Sequence, residues 1–301
     1  MPAHSPEMDD ADHRHAIEIV RPASLDTPLV FASPHSGRHY PAEFLQMSRL
    51  DRHGLRQSED SYVDLLFDHA PKIGAPFLRA LFPRAYVDVN RHANELDPRM
   101  FADALPRSAD IRSSRVLAGL GVIPRIVADG HDIYARKLKF LEARRRLKSF
   151  YDPYHAALSS LIAQSRAAFG CAVLIDCHSM PSAGGAPLSP GDARIDFVLG
   201  DRFGSSCAPA LISLVEQILR RLGYTVSRNA PYAGGHVAAA YGRPSQGVHV
   251  LQIEINRALY LNEKSLARTE GFQALRNDLR TLMRELAPIS PAALSPAIAA
   301  E

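Results

Sequence analysis

Nine residues, Cys171 to Ser179 (Cys-Ala-Val-Leu-Ile-Asp-Cys-His-Ser), restrict the fold more than any other stretch of the chain. The run up to Ile175 is apolar, rich in Val, Ile and Leu, and of strand length, so it reads as a buried parallel strand. Such a strand belongs in an α/β sheet with helices over both faces. Within three residues the polarity reverses to Asp176, His178 and Ser179, and Pro181 ends any regular structure. In open α/β sheets, ligands bind beyond the carboxyl ends of the strands. A lone histidine there is more often a satisfied core residue than a ligand, so the weight of His178 depends on its company.

The same design recurs along the chain. Pro28–Ser33 reads as a strand running into Pro34-His35-Ser36-Gly37. Ala75–Leu81 and Ala85–Arg91 read as two more strands, the latter ending in Asp88, Asn90 and Arg91. Asp196–Gly200, a short Tyr224–Val226 and the apolar Val248–Arg257 complete the set. Between them, Ser58–Phe67 reads as a helix with Ser58 as N-cap and Glu59 and Asp60 in its first turn. A helical region is expected from about 136 to 168, interrupted at Pro153, with Arg144 to Arg146 on a solvated face. Leu211, Leu214, Val215, Ile218 and Leu222 recur at helical spacing, and a terminal helix covers roughly 265 to 286. Residues 94–130 are loop-rich, a length that is usually functional. Glycine-bearing loops at 182–191 and 233–247 read either as lids over a pocket or as plain surface loops. The expectation is a single-domain α/β three-layer sandwich over residues 15–288 with a mixed, mainly parallel sheet. Residues 1–14 are expected as a disordered arm, which discounts its His4, His13 and neighbouring His15, and 289–301 as a disordered tail.

Composition narrows the function classes. A net charge of +3 over 301 residues, with 22% charged and 46% hydrophobic, argues against nucleic acid or an anionic membrane as partner. The partner expected is a small-molecule substrate. The three cysteines form no C-x-x-C pair and sit in apolar runs, which suggests thiols in a reducing compartment. No apolar leader and no run of membrane-spanning length is present in the sequence, so a soluble cytoplasmic protein is the default expectation. Oligomeric state is not encoded in any of these features.

Four strand ends now carry polar residues: His35; Asp88, Asn90 and Arg91; Asp176 and His178; Glu254 and Arg257. Glu254 lies between Ile253 and Ile255, where an unpartnered carboxylate is costly. It either forms a salt bridge with Arg257 or Arg91, or points into a cleft as a proton carrier. Two histidines and one carboxylate with an open fourth position make a hydrolytic zinc site. His35 and His178 supply the nitrogens, and Asp60 or Glu59 the carboxylate. Glu254 is then free to deprotonate the attacking water, and Arg91 to hold a substrate carboxylate or the developing oxyanion. No G-x-S-x-G elbow or Walker sequence competes with this reading.

As an ordered set, Pro34-His-Ser-Gly37, Ser58-Glu-Asp-Ser-Tyr-Val-Asp64, Tyr86-Val-Asp-Val-Asn-Arg91, Glu95-Leu-Asp-Pro98, Gly121-Val-Ile-Pro-Arg125, Asp176-Cys-His-Ser-Met-Pro-Ser182 and Gln252-Ile-Glu-Ile-Asn-Arg257 resemble the N-formylglutamate amidohydrolase family. The resemblance spans about residues 30 to 262. It implies a zinc amidohydrolase (or one using another divalent ion) that releases formate and glutamate from N-formyl-L-glutamate in histidine degradation. More distantly, the order of motifs is similar to zinc carboxypeptidases and aspartoacylase-like deacylases, which implies that fold. That likeness implies His35 and His178 as ligands, Asn90 and Arg91 as substrate contacts, and Glu254 as base. Those relatives carry the metal carboxylate three residues after the first histidine, where this chain has Arg38. The third ligand is therefore placed at Asp60 first and Glu59 second. Arginines among Arg84, Arg91, Arg125, Arg243 and Arg257 are expected to hold the two glutamate carboxylates. The alternatives are another deacylase or carboxypeptidase of the same architecture, or a silent binder of acidic amino acids.

Overall fold

A computed structural model describes residues 16–127, 130–186 and 194–294. Seven strands form one sheet: β1 (Ile17–Val20), β2 (Leu29–Ser33), β3 (Phe77–Ala80), β4 (Ala172–Met180), β5 (Phe197–Gly200), β6 (Val226–Arg228) and β7 (Val248–Asn256), in the order β1-β3-β2-β4-β7-β5-β6. The pairs β2–β3, β2–β4, β4–β7 and β5–β6 are parallel, while β1 and β5 join antiparallel to β3 and β7. The helices are α1 (Ala42–Met47), α2 (Arg52–Arg56), α3 (Val63–Leu66), α4 (Ser114–Leu117), α5 (Phe140–Arg146), α6 (Asp152–Phe169), α7 (Pro209–Arg221), α8 (His236–Tyr241), α9 (Gly271–Leu286) and α10 (Pro291–Leu294).

Every residue of β2, β4 and β7 is buried, as expected of strands covered on both faces. Alternate side chains feed two cores. Phe31, Ile175 and Ile253 pack with residues of α3, α7 and α9 on one face. Val30, Leu174 and Val250 pack with residues of α5, α6 and α8 on the other. This is the mixed, mainly parallel three-layer sandwich expected.

Several local expectations fail for identifiable reasons. Residues 85–91 alternate like a strand but form turns, because their amides bond elsewhere: Tyr86 N–H to Pro83 O and Asp88 N–H to Val122 O. Ser58 does not cap a helix; its hydroxyl donates back to Leu55 O. The helix starts only at Val63, after Tyr62, whose φ of 66° lies in the left-handed region. Pro153 does not break its helix: the backbone stays helical through it, and the helix widens to a π-helical turn at Leu147–Tyr151 just before it, where the i−4 ladder is interrupted. Arg146 is buried rather than solvated. It donates to Tyr134 Oη at 2.7 Å and lies 4.1 Å from the centre of the Tyr86 ring. The loop at 233–247 contains α8. The packed domain also passes 288, since Ile289 and Leu294 are buried against the core. His4, His13, His15 and residues 187–191 of the other glycine loop lie outside the described residues.

Candidate metal and substrate site

Two turns, pinned to each other, build one wall of the site. His35 lies two residues past the end of β2, and Asp60 N–H donates to His35 O at 3.0 Å. Ser36 Oγ reinforces the join: it donates to Asp60 O and accepts from the Asp64 N–H. Gly37 is required here, because a Cβ on it would stand 2.1 Å from Phe82 O. The opposite wall is the sheet. The parallel register of β4 and β7 places His178 beside Glu254 and Asp176 beside Gln252. Residues i and i+2 share a strand face, so all four extend the row begun by Leu174 and Val250.

His35, Asp60 and His178 converge, with one potential ligand atom from each lying within 4.8 Å of the others. Asp60 Oδ2 is 3.3 Å from His35 Nδ1 and 3.2 Å from His178 Nδ1. The outer ring nitrogens face carboxylates: His35 Nε2 donates to Asp88 Oδ1 at 2.7 Å, while His178 Nε2 lies 3.0 Å from Asp176 Oδ2 without a hydrogen bond to it, and 3.3 Å from Asn90 Nδ2. Both rings turn Nδ1 inward, towards Asp60 Oδ2. His35 Nδ1 is fully buried and makes no hydrogen bond among the described residues. A buried acceptor left without a donor, beside a second imidazole and a carboxylate, fits a divalent cation. Burial would raise the Asp60 carboxyl, but the adjacent His178 and His35 imidazoles hold it well below the usual carboxylate range. It is an anion, as a ligand must be.

Glu59 is not part of this cluster. It is buried, and its oxygens accept from Tyr40 Oη at 2.6 Å, Arg56 Nε at 3.1 Å and Ser61 Oγ at 3.0 Å. Arg38 is also engaged elsewhere, pairing with Asp64 at 2.6 Å.

These residues open into a cavity of about 440 Å³. Glu254 faces it, with Gln252 Nε2 donating to Glu254 Oε1 at 2.8 Å. Burial, foremost, pushes its carboxyl up to about 7; His178 and Arg84 draw it down, and Asp60 and Asp176 push it further up. A carboxyl poised there suits proton transfer at neutral pH.

The predicted arginines separate. Arg84 and Arg91 line the cavity beside Asp88, with Arg84 Nη2 donating to Asp88 Oδ2 at 2.9 Å. Arg257 lines it too, but its donors are spent on Ser179 Oγ, Gln57 O and Asp60 Oδ1. Arg125 turns away to Asp97 and Asp132, and Arg243 to Ala239 O. Neither lines the cavity. Asn90 lines it, but its amide is largely committed: Oδ1 accepts from Val237 N–H, and Nδ2 lies 3.3 Å from His178 Nε2. Arg115, Gln252 and Tyr232 are lining residues that the sequence reading passed over. Gln252 had a signal, a polar residue two before Glu254 on the same strand face. Arg115, one arginine in a loop-rich stretch, had none.

A profile of the family described as N-formylglutamate amidohydrolase matches residues 27–261. The chain is 30% identical over 265 residues to the N-formylglutamate deformylase of Pseudomonas aeruginosa, covering 86% of this chain and 92% of that one. It is 28% identical over 261 residues to the N-formylglutamate deformylase of Pseudomonas putida, covering 84% of this chain and 86% of that one. The crystal structure of N-formylglutamate amidohydrolase from Ralstonia eutropha JMP134 superposes with a TM-score of 0.85 at 39% identity, over 90% of this chain and 97% of that one. A gene product of Agrobacterium tumefaciens shares the fold, with a TM-score of 0.64 at 18% identity over 92% of this chain and 95% of that one.

Proposed function

The chain belongs to the N-formylglutamate amidohydrolase family, and from that premise we propose that it hydrolyses N-formyl-L-glutamate to formate and L-glutamate with a divalent ion held by His35, Asp60 and His178. The observation that carries the proposal is the convergence of those three side chains, with Glu254 beside His178 on the neighbouring strand. Two nitrogens and one carboxylate form a donor set that favours zinc, and other divalent ions can substitute. Bound there, the ion supplies Lewis acidity to the formyl carbonyl and acidifies the attacking water.

The chain's own residues do the rest. Glu254 takes a proton from the water as its oxygen bonds to the formyl carbon. It then gives that proton to the amide nitrogen as the C–N bond breaks, so that formate and the free amine leave. Asp88 holds the His35 imidazole with Nδ1 inward, and Asp176 lies beside His178 Nε2. Arg257 and Ser179 hold Asp60 by its other oxygen. Arg84 keeps Nε and Nη1 free of hydrogen bonds among the described residues, and with the Nη2 of Arg91, whose Nε and Nη1 donate to Leu120 O and Asn90 O, it receives the substrate carboxylate nearest the amide. The enzyme serves histidine degradation in the cytoplasm on this reading, a placement supported by the family and by three cysteines that remain buried thiols.

Formate release from a panel of N-acylated amino acids by purified, metal-replete protein tests the proposal. N-formylglutamate should be the best substrate, and N-acetylglutamate, which adds a methyl at the reacting carbon, a poorer one. Faster turnover of acetyl or longer acyl donors would assign the chain to a neighbouring deacylase activity.

A further inference from the structure

Two of the sequence motifs, Glu95-Leu-Asp-Pro98 and Gly121-Val-Ile-Pro-Arg125, contribute no group to the chemistry above. Their side chains and backbone hold α4 in place instead. Asp97 binds Arg99 at 2.7 Å and Arg125 at 3.0 Å. Arg99 Nη2 in turn donates to Val116 O and Leu117 O, at the carboxyl end of α4. At the amino end Ser113 Oγ donates to Glu95 Oε1 at 2.7 Å and accepts from Val116 N–H. Gly121 lies so close that a Cβ on it would be 2.4 Å from Glu95 O, and Arg91 Nε donates to Leu120 O.

What this frame presents to the cavity is Arg115. It lines both the main cavity and an adjoining one of about 230 Å³, which also includes Arg91, Arg202, Glu95 and Asp110. Among the described residues its guanidinium makes no hydrogen bond or ion pair, and it is exposed, whereas Arg91 is 5% exposed. Burial holds Arg91 down to about 10 despite Asp88, and the charges of Arg115 and Arg84 lower it further. Of the four arginines lining the main cavity, Arg84 and Arg91 lie 2.9 and 3.7 Å from Asp88 and Arg257 lies 3.1 Å from Asp60, so Arg115 is the one without a carboxylate partner among the described residues, and an anion would complement it.

We propose that Arg115 is the specificity-determining residue for the substrate's side-chain carboxylate, held at the cavity rim by the Asp97–Arg99 frame. The inference rests on the activity proposed above. A glutamyl substrate has one carboxylate on Cα, next to the amide, and a second at the end of the side chain, three bonds from Cα. With the amide at the histidines, the nearer carboxylate falls to Arg84 and Arg91 and the further one to the rim.

The test compares wild type, Arg115→Gln and Arg115→Lys on N-formyl-L-glutamate and N-formyl-L-glutamine, and measures binding of L-glutamate against L-glutamine by calorimetry. In Arg115→Gln the glutamate-to-glutamine ratio of kcat/KM should fall by roughly 10- to 100-fold, mainly through KM, as expected for loss of a charge-assisted pair. Arg115→Lys should keep part of the ratio, since a point charge remains. The binding ratio should follow, and it needs no turnover. An undiminished ratio in Arg115→Gln, in turnover or in binding, overturns the inference. Absence of formate release by the metal-replete wild type would instead strike the proposed activity, while the binding ratio would still decide the role of Arg115.

Discussion

The Nε2 of His35 sits 2.7 Å from Asp88 Oδ1, while its Nδ1 faces Asp60 and His178 with no hydrogen-bond donor of its own. The carboxylate thereby fixes which nitrogen carries the proton and which keeps its lone pair for a cation. Asp88 is itself held well below the usual carboxylate range: burial opposes this, but Arg91, Arg84 and His35 outweigh it. Asp88→Asn should therefore lower affinity for a divalent ion by roughly 10- to 100-fold. Competition with a fluorescent chelator measures this, and wild-type affinity in the variant would remove Asp88 from the support of His35.

Asp60 and Glu59 are adjacent in the chain but face different partners. Asp60→Ala should release the ion and abolish activity. Glu59→Ala should retain it but lose about 1–3 kcal/mol of stability, because Tyr40 and Ser61 are left without their acceptor. Metal content and denaturant midpoints of the two variants separate these outcomes. Metal loss in the Glu59 variant would reverse the assignment.

A third expectation concerns acid stability. Burial, with the charge of His236 second, lowers the His155 imidazole to about 4 from 6.5, while it bonds Val89 O and Tyr241 Oη. The folded-state value lies below the unfolded one, so protons favour the unfolded chain as pH falls. The contribution of His155 is complete above about pH 6.5 and is lost progressively as pH falls towards 4. Between pH 7 and 5 the loss should be about 2 kcal/mol. Urea titrations of wild type and His155→Gln should show a shallower pH dependence in the variant. Equal slopes would contradict the assignment.

The parts of the site that sequence alone exposed are those where a polar residue interrupts or ends an apolar strand. His178 and Glu254 stand out because burial of their neighbours makes their own chemistry conspicuous, and His35 because it follows a strand directly. Where side chains spend their hydrogen bonds is not visible in this way. Arg257 and Arg84 look alike in sequence, yet one is spent on Asp60, Ser179 and Gln57 O and the other keeps free nitrogens. The alternation of residues 85–91 suggested a strand because period-2 patterning also arises in a buried turn whose amides are satisfied by a distant segment, here Val122 O. Arg146 looked solvated because its neighbours Arg144 and Arg145 are exposed. Its aromatic cage of Phe44, Tyr86 and Tyr134 comes from segments far apart in sequence.

The central claim is that Glu254 moves the proton beside an ion that other residues hold. The direct measurement is metal stoichiometry and single-turnover formate release on the same preparations of wild type and Glu254→Gln. The variant should keep the full metal content and its fold while kcat falls roughly 10²- to 10⁴-fold, the worth of a positioned acid/base group. A variant that loses its metal would make Glu254 a ligand, and one that keeps wild-type turnover would contradict its role as the base.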